Sequence, residues 1–146
     1  MPLISHEGTD YALQILYSVA DDAWYLELDH VADHRTVLTA VVPDEDPARE
    51  PTVSVGSVSG HHHIPYDVLR WFMEHVDEEI RTSRGWMGLR PELVEIIRGL
   101  REEHLGVIDG ERFGPVFAEL RATVPAEDLP AVLEAAFGRN ADGSVR

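Results

Sequence analysis

The chain has 146 residues, 44% hydrophobic and 27% charged, and no cysteine. This ordinary globular usage excludes collagen-like, disordered and membrane-spanning classes, and the lack of cysteine excludes a disulfide framework, a thiolate zinc site and a cysteine nucleophile. Twenty-seven acidic residues stand against twelve basic ones, a formal net charge of −15, which repels phosphate backbones and argues against direct nucleic-acid binding.

The first 60 residues carry period-two patterning. Tyr11, Leu13, Ile15 and Tyr17 alternate with smaller or polar residues, and Trp24, Leu26 and Leu28 alternate with Tyr25, Glu27 and Asp29. Residues 37–42 are mostly β-branched and nearly continuous, the pattern of a central strand buried on both faces. Val53, Val55 and Val58 mark a fourth strand, with a slip around Gly56 that predicts a β-bulge. The links at 20–22, 30–34 and 43–51 are too short for crossover helices, so the strands form an antiparallel meander.

The pattern then becomes helical. Pro65 and Asp67 open a helix over 65–82, in which Leu69, Phe72, Met73, Val76 and Ile80 form one apolar stripe. Gly85 reads as its stop. A second helix opens at Pro91 with Leu93, Ile96, Ile97 and Leu100. A third starts near residue 111, moved towards Gly114 by Pro115. A fourth runs from about Leu129 and is stopped by Gly138. The prediction is therefore an α+β chain with a single domain over 1–138. A four-stranded antiparallel meander (1–64) is covered by a long amphipathic helix, and about three helices follow within 65–138. The tail 139–146 is expected to fray. No stretch approaches the roughly 18 apolar residues of a membrane span, and the N-terminal residues lack a signal-peptide pattern. The expectation is a cytoplasmic protein with no membrane partner.

Histidines supply the first candidate chemistry. His61, His62 and His63 are consecutive, and in an extended backbone His61 and His63 share a face. Together with His30 and His34 they form a candidate set for a divalent transition metal, as a metal-binding protein or a metal-dependent enzyme. The competing reading is a solvated histidine run, because HExxH and every complete ligand set of known spacing are missing. His30 with Asp33 would make a base–carboxylate pair. No Gly-x-Ser-x-Gly elbow, P-loop or GxGxxG completes a mechanism around it, so no catalytic residue is assigned.

Acidic clusters supply the second. Asp44, Glu45 and Asp46 lie in a proline-rich loop, and Asp77, Glu78 and Glu79 lie on the first helix. Trp86 and Met87 fall in the predicted connection 83–90, where large apolar residues are either a plug on the core or an exposed anchor. Asp44, Glu45, Asp46, Asp77, Glu78, Trp86 and Met87 are therefore the candidate contacts for a basic protein partner. The layout, a short meander and then an amphipathic helix, resembles that of several immunity-protein families, and it is the layout alone that carries the resemblance. It implies an acidic inhibitor that neutralises a toxin. An open sheet also leaves two edges through which a homodimer can form. All twelve basic residues are arginine, so coding bias or adaptation to high salt competes with partner binding as the origin of the acidity.

Overall fold

The computed structural model describes residues 1–56, 63–104 and 108–144. The alternating N-terminal segments form one antiparallel sheet of five strands in chain order: β1 (Leu3–His6), β2 (Thr9–Ser18), β3 (Ala23–His30), β4 (Arg35–Pro43) and β5 (Thr52–Val55). The helical segments follow as α1 (Tyr66–Met87), α2 (Pro91–His104), α3 (Gly110–Thr123) and α4 (Leu129–Phe137). The α+β reading and the meander stand, with one strand more than predicted. The extra strand is β1, which pairs with β2 through the two-residue turn Glu7-Gly8. Both turn residues have positive φ, 47° and 81°, as a hairpin turn matched to strand twist requires.

Internal contacts divide the chain into two compact units, Met1–Ser83 and Arg84–Arg146. In the first unit, register places Ile15, Leu26, Ala40 and Val53 opposite one another across four strands, and Leu13, Leu28, Leu38 and Val55 across the same four. The middle members of these rows are buried with Val68, Phe72 and Val76 of α1. Ile15, Val53 and Val55 at the row ends stay exposed. Leu69, Met73 and Ile80 of the predicted stripe flank this core, half-buried, while Val68 joins Phe72 and Val76 among the fully buried residues. Burying a side chain such as Phe72 contributes about 1.5–3 kcal/mol.

A shift in register falls between Leu28 and Asp29, where β3 meets β4. The predicted bulge around Gly56 involves Val58, which lies outside the described residues. Gly56 itself has a clear physical role. A Cβ there would sit 2.5 Å from the Thr36 carbonyl oxygen, while its N–H donates to the Val37 carbonyl at 2.9 Å. Only glycine allows that backbone approach.

The second unit has its own core. Leu93 and Ile97 of α2, Phe113 and Leu120 of α3, and Val132, Leu133 and Phe137 of α4 pack together with Trp86. Asp109 caps α3 by accepting from the Arg112 N–H at 2.9 Å. Gly138 closes α4 in the left-handed conformation at φ 62°.

Two expectations are corrected here. Gly85 does not stop α1, which continues to Met87 because Trp86 on the added turn is buried. The tail does not fray through Ser144. Arg139 donates to the carbonyls of Gly143 and Ile108 and lies 4.1 Å from the Phe113 ring centroid, and Gly143 is buried beneath that ring.

Candidate functional site

The predicted contacts separate once burial is known. Asp44 has no exposed surface, because the loop folds back on the β2–β3 turn. Its N–H donates to the Asp22 carbonyl at 2.8 Å, and Arg49 donates to the Asp21 carbonyl at 2.7 Å. The hydroxyls of Tyr25 and Ser18 hold the Asp21 carboxyl below its ordinary value, and the Arg49 guanidinium adds to this. Trp86 is 3% exposed, with the Arg101 guanidinium 5.3 Å from its ring centroid. Asp44 and Trp86 are therefore corrected: neither can touch a partner in the folded chain. Trp86 is the plug and not the anchor. Glu45 and Met87 are half-buried, and Asp46, Asp77 and Glu78 are exposed. Arg81 pairs with Glu78 at 3.0 Å and Arg70 with Glu74 at 3.7 Å on the exposed face of α1.

The histidine candidates do not converge among the described residues. His30 Nδ1 lies 2.8 Å from Asp33, so the predicted pair forms, and the Tyr11 ring packs edge-on to the imidazole at 5.7 Å. His30 holds the Asp33 carboxyl below its ordinary value. His34 is exposed in the left-handed conformation, φ 54°, at the end of the 3-10 turn Val31–Asp33. His63 is exposed, and His61 and His62 lie outside the described residues. No group of three His, Asp or Glu side chains able to hold a metal occurs among the described residues. A second imidazole–carboxylate pair, unforeseen from the sequence, joins β1 to the first turn of α1: His6 Nδ1 lies 2.8 Å from Asp67 and lowers the Asp67 pKa.

A groove in the helical unit was also unforeseen. It has a volume of about 340 Å³ and lies between α2 and α3. Helical spacing builds one wall from two adjacent i, i+4, i+8 rows of α2. Ile96, Leu100 and His104 form the inner row, and Glu95, Gly99 and Glu103 the outer one. Val116, Glu119, Leu120 and Thr123 of α3 form the other wall. α2 packs mainly on α4 through its third row, Leu93, Ile97 and Arg101, which is buried. This leaves its other flank open towards α3. Gly99 widens the groove at its centre, since nothing lies within 4 Å of where its Cβ would stand.

The groove is apolar at its base and acidic at its rim. Ile96, Leu100 and Val116 are half-buried and Leu120 is buried, whereas Glu95, Glu103 and Glu119 are exposed. Arg98 lies 3.7 Å from Glu95, and Thr123 donates to the backbone carbonyl of Glu119 at 2.9 Å. The His104 side chain is only 7% exposed, with its ring edge-on to Phe137 at 5.6 Å. Its Nε2 is buried without a hydrogen-bond partner, the nearest carboxylate oxygen being that of Glu103 at 3.8 Å. A buried imidazole nitrogen left unpaired is costly. The alternation of two acids around one glycine on a single helix face was the signal available in the sequence. Assigning Ile96 and Leu100 to the core stripe concealed it.

No protein-family model, curated protein or solved structure matches this chain.

Proposed function

We propose that this chain is a non-enzymatic, acidic docking module for a basic protein partner, of the kind exemplified by an immunity-type inhibitor that covers the cationic face of a toxin. The observation that carries the reading is the charge balance of 27 acidic against 12 basic residues. Carboxylates stand exposed in both units, at Asp46, Glu74, Asp77 and Glu78 and at Glu95, Glu103 and Glu119. A surface of this sign accelerates encounter with a cationic protein and rejects acidic ones.

The test is capture on the immobilised full chain from its source cells, followed by purification and titration of what binds. The expected partner is basic, and its affinity falls steadily between about 50 and 500 mM salt as screening shortens. Asp77→Asn and Asp46→Asn slow association, and a toxin partner loses activity when the chain is added. An affinity that does not change over that salt range would overturn electrostatic docking.

A further inference from the structure

We propose that the groove between α2 and α3 is a receptor for a single arginine side chain presented by the partner. This inference rests on the docking reading and gives it a specific point of contact. Two features of the groove select that occupant. The carboxylates of Glu103 and Glu119 at its rim complement one positive charge, while Glu95 pairs with Arg98 at 3.7 Å. The apolar base of Ile96, Leu100, Val116 and Leu120 matches an aliphatic stem, which long cationic side chains lay along apolar surface while their heads stay near water.

Arginine fits these demands better than lysine. Its guanidinium carries five N–H donors in a rigid plane, so it can serve more than one carboxylate at once. It is also more weakly hydrated than an ammonium group, which lowers the cost of leaving water for a partly apolar groove. A volume of about 340 Å³ lies at the small end of ligand pockets, in keeping with one side chain and not with a large cofactor.

Gly99 provides a clean variant. Gly99→Leu fills the groove from its centre, where the added atoms meet no neighbour at Cβ, and leucine is a better helix former than glycine. The fold is therefore retained, and an unchanged or raised melting temperature checks this.

The experiment titrates the isotope-labelled full chain with the peptide acetyl-Gly-Arg-Gly-amide at low salt and follows backbone amide signals. Peptides with citrulline or lysine in place of arginine serve as comparisons. The expected result is that shifts centre on Gly99, Leu100, His104, Val116 and Leu120. The citrulline peptide, which keeps the shape and loses the charge, binds at least ~10-fold more weakly. Gly99→Leu abolishes the shifts, and Glu103→Gln and Glu119→Gln each weaken binding.

Equal binding of the citrulline peptide, shifts spread along α1 in place of the groove, or unchanged binding to Gly99→Leu would each overturn the receptor. The captured partner separates this inference from the docking reading. A basic partner that binds Gly99→Leu as tightly as the natural chain removes the groove and leaves docking intact. Arginine-peptide binding in the groove without any salt-sensitive partner keeps the groove and removes the docking reading.

Discussion

Phe72 has no exposed surface and lies where the middle of the sheet meets α1. Phe72→Ala should therefore remove about 3–5 kcal/mol from the stability of the sheet unit, the sum of lost transfer energy and a residual cavity. Leu69→Ala, at a half-buried flank of the same helix, should cost clearly less. Urea denaturation of both variants measures the difference, and equal losses would show that the stripe predicted from spacing is the true buried face. The His6–Asp67 pair makes a pH-dependent prediction. The Asp67 carboxyl is held below its ordinary value chiefly by the hydrogen bond from His6. Its contribution is fully present above the ordinary carboxylate value near pH 4 and is lost as pH falls through the lowered value. Asp67→Asn should thus lower the urea midpoint at neutral pH, and the gap from the natural chain should close on acidification. A gap that stays constant down to about pH 2 would show that the carboxylate charge has no part in the link.

At the scale of elements, the sequence was legible where periodicity was long and uninterrupted. β2, β3, β4, α2 and α4 lie where alternation or a 3.6-residue stripe placed them. β1 was missed because four residues at a sheet edge give too short an alternation, and because Glu-Gly is a weaker turn signal than Asn-Gly. The end of α1 was missed because a local rule, glycine as a stop, was overridden by burial of Trp86 one residue later. Burying an aromatic of that size outweighs the ~1 kcal/mol that a helical glycine costs relative to alanine. That competition yields a prediction. Gly85 is exposed within the helix and has no neighbour within 4 Å of its missing Cβ. Gly85→Ala should therefore stabilise the chain by about 0.5–1 kcal/mol. A loss of stability in the thermal melt of Gly85→Ala would mean that α1 breaks near residue 85, as the sequence alone implied. Of the candidate site, the acids were legible by type but not by burial. A loop's return onto the β2–β3 turn, which hides Asp44, depends on contacts from Arg49 and Asp22 that no local pattern encodes.

The whole molecule carries a net charge of −15, and this makes two quantities respond to salt in opposite directions. Self-repulsion destabilises the compact state, so screening should raise the melting temperature. The same screening weakens attraction to a basic partner, so affinity should fall over the same range. The Debye length shrinks from about 30 Å at 0.01 M to about 8 Å at 0.15 M and about 3 Å at 1 M. Most of both effects should therefore be complete by a few tenths molar. The shape of the melting curve then distinguishes the two origins of an all-arginine, acid-rich composition. If the acidity serves docking, the melting temperature rises and levels off within the screening range while partner affinity drops through it. If it is an adaptation to high salt, stability keeps climbing towards molar sodium chloride, well beyond the point where surface charges no longer sense one another. A continued climb combined with a partner affinity that does not respond to salt would assign the charge to solubility and detach it from recognition.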